Sequence, residues 1–247
     1  GGDVHIQDFV LQNAKHIQSP ILFMLIRPSK SHVYREALKY CKWIGCSTIE
    51  DWDFVKKRGR FYKSVQVRHG IDPKISYAKN VDFKEKYGIK TDLMLVSSGG
   101  FWPNKAHQEL VDVFKQVGRT DMTLVITGYD NRHGIMPQES ENVRVMMLYS
   151  RNEVLNAIAS ADLYLMHSHS EGFGLVLLES MLNRTPWAAR NIAGAKVLKQ
   201  CGFTYETDEQ LLKYLKEFKP ATPLELTGNW NYVSTNHLIK NTVDDIL

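Results

Sequence analysis

The stretch that most constrains the fold is residues 162–187, DLYLMHSHSEGFGLVLLESMLNRTPW. It reads as strand, glycine turn, helix and strand. Residues 163–166 form a short apolar run, the pattern of a strand buried on both faces of a parallel sheet. Residues 170–174 turn the chain, and Gly172 and Gly174 provide for positive φ and for close approach of the backbone to a ligand. From 175 to 183 nearly every position is apolar, so the helix predicted there lies under a sheet; Pro186 ends it and opens the next strand. Glu179 is out of place in such a helix, because an ionised carboxylate is rarely buried without a partner. Glu171 precedes it by eight residues, in the turn that feeds the helix N-terminus. The N–H groups there, from about Phe173 through Gly174 and Leu175, lack intrahelical partners and form an anion site. Two roles are open to these residues. The carboxylates and the anion site suit a ligand bearing both phosphates and hydroxyls; alternatively, Glu179 faces solvent and Glu171 only favours the helix dipole.

The rest of the chain extends the strand–helix alternation. Strands are expected at 4–6, 21–26, 42–46 and 64–68, with helices from 31 or 32 to 40 and from an N-cap at Ser47 and Thr48 to about 57. From 92 onward the alternation is regular: strand 93–97, helix 106–117, strand 123–126, strand 143–148, helix 152–160. After Pro186 come a short strand, a helix near 195–200, a strand at 203–205 and a helix over 208–218. Pro220 and Pro223 break the pattern, and residues 234–247 suit a last amphipathic helix. Crossover helices of this kind predict an α/β fold with a doubly wound parallel sheet. Ligands of such sheets sit at the carboxyl ends of the strands, where residues 98–105 and 168–174 fall. In the first of these loops, Gly99 and Gly100 allow close backbone approach and Lys105 reaches a phosphate as a point charge, the alternative being a surface lysine. No Gly-Lys-Ser/Thr is present, so the loop is not a P-loop.

Several function classes are disfavoured. Three cysteines in 247 residues suggest neither a disulfide framework nor a zinc site, and fit a reducing, cytoplasmic compartment. No apolar run approaches the roughly 18 residues that span a bilayer, and no signal-peptide pattern is visible. Gly172-x-Gly174-x-x-Leu177 half-matches a dinucleotide fingerprint, but the third glycine and the ribose-binding acid near 191 are missing. His167 and His169 would share a face of a strand, yet no third ligand follows at metal-site spacing; a polar pocket lining or ordinary hydrogen-bonded histidines fit better. Charge is uneven: residues 1–75 carry 13 Lys and Arg against 7 Asp and Glu, the remainder 18 against 20. The densest basic run, 56–60, is followed by Phe61, Tyr62 and Lys63. It is either solvated surface or a patch for anionic headgroups; nucleic acid is not the expected partner.

Glu171 and Glu179 within SEGFGLVLLESMLNRTP resemble the E-x7-E signature of the retaining GT-B glycosyltransferases of the group-1, family-4 type. SSGGFWPNKAHQELVDVF, residues 97–114, is similar to the family's glycine loop, phosphate lysine and following helix, and His69-Gly70-Ile71-Asp72 to the segment that ends its N-terminal domain. The resemblance covers most of the chain. It implies a GT-B-like fold of two Rossmann-type lobes: residues 1–75 a shortened acceptor-side lobe, 76–219 the nucleotide-sugar lobe, and 220–247 a segment whose helix packs back toward the first lobe. It further implies that a nucleotide diphosphate-sugar is the donor substrate, that no cofactor or metal is needed, and that configuration is retained. Lys105 would hold the diphosphate, with Gly99 and Gly100 letting the backbone approach. Glu179 would accept bonds from the ribose hydroxyls and Glu171 would face the donor sugar, with the amides near Gly172, Phe173, Gly174 and Leu175 meeting sugar and phosphates. Gln7 stands where the family has a donor-contacting histidine; an amide can hydrogen-bond a hydroxyl but carries no proton near neutral pH. The chain departs from the family at Phe101, where an arginine is usual, at Arg184, where a glycine is usual, and at residues 193–197. A partner-dependent or non-catalytic sugar-nucleotide-binding subunit is the alternative. The acceptor is unidentified, and the charge of residues 1–75 favours an anionic or membrane-associated one, with peripheral membrane attachment. A lobe that lacks its first strands would also expose an edge, so self-association or a partner chain through residues 1–75 is expected.

Overall fold

A computed structural model describes residues 22–24, 40–75, 82–129, 134–148 and 150–237. The expected strand at 4–6, the helix ending at 40, and Gln7 lie outside the described residues. Two parallel sheets are present among them. The smaller contains β1 (Leu22–Met24), β2 (Trp43–Cys46) and β3 (Ser64–Gln66) in that order, with α1 (Ile49–Lys56) crossing between the last two. Thr48 caps α1 through a reciprocal pair of bonds: Asp51 N–H donates to Thr48 Oγ1 at 3.2 Å and Thr48 N–H to Asp51 Oδ2 at 2.9 Å. Asp51 is therefore buried as part of the cap rather than lying on the surface of the first turn.

The larger sheet has six strands: β4 (Leu93–Ser98), β5 (Met122–Gly128), β6 (Val143–Met147), β7 (Leu163–Met166), β8 (Trp187–Arg190) and β9 (Phe203–Tyr205). Their spatial order is β6-β5-β4-β7-β8-β9, all parallel. The chain winds outward from β4 in one direction, then returns to β7 and winds outward in the other. This is the doubly wound order, and it reverses between β4 and β7. The helices are α2 (Asp82–Lys86), α3 (His107–Lys115), α4 (Arg151–Ser160), α5 (Leu175–Leu182), α6 (Ala193–Val197), α7 (Asp208–Glu217) and α8 (Pro223–Asn236).

Period-two alternation divides the core between the two faces of this sheet. Leu93, Leu95, Leu124, Ile126, Leu163 and Leu165 pack under α3 and α7, while Met94, Val96, Val125, Tyr164 and Met166 pack under α4 and α5. Leu124, Val125 and Ile126 are fully shielded, each removing about 1.5–3 kcal/mol of apolar side chain from water. The continuous apolar runs of the sequence thus mark strands covered on both sides, and most element boundaries fall within two residues of expectation.

Two elements differ. Residues 82–86 form a short helix that five polar-rich residues do not announce; Phe83 is the residue it contributes to the core. A helix also spans Pro223–Asn236, where the prolines read as a break; the helix expected over 234–247 lies mostly outside the described residues. Proline has no N–H to leave unpaired and its fixed φ suits the first helical position, so the proline that looked like a breaker is a start signal. Thr222 O accepts the bond from Leu226 N–H at 3.1 Å, and Val233 of α8 is buried against the α5 side of the core. Arg184 has φ +56, the left-handed region that favours glycine, and its guanidinium lies over the Trp230 ring of α8 at 5.7 Å.

Gly128 ends β5 against the turn that follows β4. A Cβ there would abut the Gly99 carbonyl oxygen and come 2.6 Å from Phe101 Cε1. Gly128→Ala should therefore destabilise the protein by about 1–3 kcal/mol, read as a lower urea midpoint. An unchanged midpoint would mean that the 99–101 turn gives way freely.

Candidate functional site

The two loops flanking the reversal point come together. After β4, Gly99 takes φ +143, and a Cβ on it would lie 3.2 Å from Lys105 Cε, so the absent side chain makes room for the lysine to fold back. A short turn over Pro103–Lys105 then leads into α3. After β7, Gly174 is the N-cap of α5 with φ +86. Gly172 does not take a positive φ, so one of the two expected turn glycines serves that purpose. His169 N–H donates to Asn104 O at 2.8 Å and Asn104 Nδ2 to Ser170 O at 3.3 Å, tying the loops at the backbone. Between them Lys105 Nζ bonds Glu171 Oε1 at 2.6 Å, and Ser168 Oγ donates to the same oxygen at 2.7 Å.

Glu179 does not face solvent. Its side chain is 6% exposed, on the inner face of α5, and Arg151 Nη2 pairs with Oε1. Arg151 opens α4 beyond the end of β6, on the same edge of the sheet. The residue pattern places the start of that helix at 152, with Arg151 outside it. The rule that ligands gather at carboxyl strand ends could have drawn attention to it.

A cavity of about 570 Å³ occupies this crevice. Its walls include Gly99, Lys105, Glu171, Gly172, Phe173, Gly174, Leu175 and Glu179, together with Arg151 and Thr127. Gly100 is not among the lining residues; it packs against the Trp102 ring. Phe101 is buried in the core and offers the cavity no charge. Phe173 holds the site to the smaller sheet's side of the molecule: its ring lies 4.5 Å from His69 and 6.3 Å from His237, while its carbonyl accepts from Gly194 N–H at 2.9 Å. Among the described residues the site thus carries two cations, each paired with a carboxylate, and the uncapped N-terminus of α5, whose first N–H groups have no intrahelical acceptor. Such a set can hold phosphate oxygens and hydroxyl groups together.

His167 and His169 fall after β7 ends and diverge. His167 is buried, with Nδ1 2.7 Å from Tyr205 Oη and Nε2 2.7 Å from Arg190 Nη2, so it is neutral, accepting from the arginine and donating to the tyrosine. His169 Nε2 meets Glu109 Oε1 at 2.8 Å. Among the described residues no group of three or more His, Cys, Asp or Glu is placed to hold a metal ion, and no helix is long and apolar enough to cross a membrane.

The fold matches that of solved GT-B glycosyltransferases. HepE (Alr3699) of Anabaena, solved in complex with UDP and glucose, has a TM-score of 0.83 at 15% identity, over 98% of this chain and 74% of that one. Sucrose-phosphate synthase of Thermosynechococcus elongatus has a TM-score of 0.78 at 15% identity, over 97% of this chain and 69% of that one. These likenesses establish the fold. In sequence, the family described as glycosyl transferases group 1 matches residues 80–218, and the chain belongs to that family. N-acetyl-alpha-D-glucosaminyl L-malate synthase of Bacillus anthracis is 30% identical over an alignment of 150 residues that covers 58% of this chain and 39% of that relative.

Two buried histidines beside the site make stability depend on pH. Burial, with the nearby Lys105 charge, holds His107 down at about 4; burial, with Arg190, holds His167 down at about 3. Both lie below the ordinary value of about 6.5, so the unfolded chain takes up protons first as pH falls. Their stabilising contribution is complete above about pH 6.5 and is lost progressively down through pH 4 and 3. Neither His107 ring nitrogen makes a well-aligned hydrogen bond among the described residues, although the Gly99 backbone lies beside the ring. His107→Leu should therefore cost little at pH 7.5 and should lose about 2 kcal/mol less than wild type on going to pH 5, by urea titration. Parallel losses in both proteins would show that His107 is not the titrating group.

Proposed function

We propose that the chain transfers a glycosyl group from a nucleotide diphosphate-sugar to an acceptor hydroxyl, with retention of configuration and without a metal ion. The observation that carries this reading is the convergence, in one crevice at the reversal point of the sheet, of Lys105, the N-terminus of α5 and two carboxylates eight residues apart. Family membership supports it, as does HepE, which was solved with UDP and glucose. In this reading Glu179 accepts hydrogen bonds from the ribose. The diphosphate lies between Lys105 and the amides of residues 172–175, and Glu171 faces the donor sugar. As the sugar–phosphate bond breaks, negative charge grows on the diphosphate, which Lys105 and preorganised N–H groups stabilise. The sugar becomes cation-like, and the Glu171 carboxylate lowers the energy of that charge. Because Glu171 and Lys105 are already bonded, the lysine links the two developing charges.

Residues 76–219 are assigned to the donor, 1–75 to the acceptor side and 220–247 to a brace between them. The excess of basic residues in 1–75 favours an anionic acceptor, such as one carried at a membrane surface. A donor-binding subunit that turns over only with a partner is the second reading. Buried Phe101 favours it, since the family's usual arginine there would supply a further charge for the leaving group.

Lys105→Ala and Glu179→Ala should each weaken donor binding by on the order of 1.5–3 kcal/mol while leaving the fold intact. Isothermal titration with nucleotide sugars checks this, and unchanged affinity in both variants would sink the assignment. Glu171→Gln keeps shape but removes charge, so kcat, for transfer or for donor hydrolysis, should fall further than donor affinity does. A preserved kcat with a matching loss of affinity would reduce Glu171 to a binding residue.

A further inference from the structure

The two ion pairs facing the cavity differ. In the first, Lys105 and Glu171 are both largely buried, with side chains 19% and 13% exposed, and Ser168 holds the carboxylate as well. In the second, the Glu179 side chain is 6% exposed and the Arg151 side chain 63% exposed. An arm rooted near solvent thus reaches over a carboxylate sunk in the cavity wall. Nothing in the energetics of α4 favours a cation at its first position, where the helix dipole is positive. What Arg151 gains there is Glu179, and what Glu179 gains is a partner it cannot do without once buried.

The two ends of this pair respond differently to a competitor. The arginine can return to water at small cost, as exposed members of ion pairs do. The carboxylate is fixed on α5 and needs other donors in exchange. Adjacent hydroxyl groups are such donors. We propose that Arg151 is a displaceable latch on Glu179: it satisfies the carboxylate until the ribose of the nucleotide takes its place. This rests on the donor reading above and adds a residue to it. Arg151 would set the affinity for nucleotide, and its dependence on the ribose hydroxyls, by competing with the ribose. Lys105, largely buried and bonded to a carboxylate that Ser168 also holds, would stay in place and be shared with the ligand.

The test uses the full chain as wild type, Arg151→Ala and Arg151→Lys. Titration with UDP, ADP and GDP identifies a diphosphate that binds wild type, and its 2′,3′-dideoxy counterpart is then compared with it. Without nucleotide, Arg151→Ala should melt at a lower temperature, because Glu179 is left buried without its partner. It should nevertheless bind the ribonucleotide about two- to tenfold tighter, since the ligand no longer displaces an arginine. That gain should vanish for the dideoxy nucleotide, and Arg151→Lys should fall between wild type and the alanine variant. Equal or weaker binding of the ribonucleotide by Arg151→Ala, or the same gain for the dideoxy form, would overturn the latch. If no diphosphate binds wild type, the donor reading falls and the latch with it. If wild type binds and the alanine variant shows no gain, the latch alone falls.

Discussion

Reversal of winding between β4 and β7 is the constraint on which the site depends. Each strand of a parallel sheet sends its following helix to one face or the other, and at the reversal two neighbouring strands send theirs to opposite faces. The loops after β4 and β7 must therefore part, and a crevice opens at their carboxyl ends. The Lys105–Glu171 pair spans that crevice, with the Asn104 backbone contacts beside it. The Lys105–Glu171 pair and the N-terminus of α5 thus face one crevice, on loops that the carboxyl ends of β4 and β7 hold in place.

Charge in this region is handled by pairing or by neutrality. Glu171 and Glu179 are ionisable groups in low-exposure positions, and each has a cation against it. His107 and His167 are buried and stay neutral, the second locked by Tyr205 and Arg190. Burial also pushes the Tyr164 hydroxyl up; it lies against Ser98 at the end of β4, where it serves as a hydrogen-bonding group rather than an acid. Among the described residues the crevice is polar, and the cations and carboxylates that line it are paired with each other.

The site is also fastened to the smaller sheet's side of the molecule. Phe173 packs against His69 and His237, and His237 in turn bonds the backbone on that side: its Nδ1–H donates to His69 O at 3.0 Å, and its carbonyl accepts from Ile71 N–H. Ser47, at the cap of α1, lies 3.0 Å from His69 Nε2, and Lys196 pairs with Glu50 at 2.6 Å. A residue of the E-x7-E turn therefore senses the 69–71 segment, the end of α8 and, through them, α1. Movement of the two sheets relative to each other would reach the turn that carries Glu171 through the Phe173 ring.

The parallel α/β fold was legible in the sequence because buried strands leave unbroken apolar runs and crossover helices space them regularly. The helix over Leu175–Leu182 and the strand over Leu163–Met166 followed from those runs within a residue. Lys105, Glu171 and Gly174 were legible as loop residues at the carboxyl ends of two strands, and folding brings the lysine and the glutamate into contact. What the sequence left open was the direction in which Glu179 points; a glutamate on an apolar helix can face water or a cavity, and only packing against α4 decided it. Arg151 was invisible for the same reason, because its partner lies 28 residues away and no local pattern links them. Pro223 was misread as a break because a proline stops one helix and starts another with the same geometry, and the core it starts toward is tertiary. Local periodicity determined which segments are strands and helices; the pairing of distant charges, which depends on how the sheet is wound, was decided only when the chain folded.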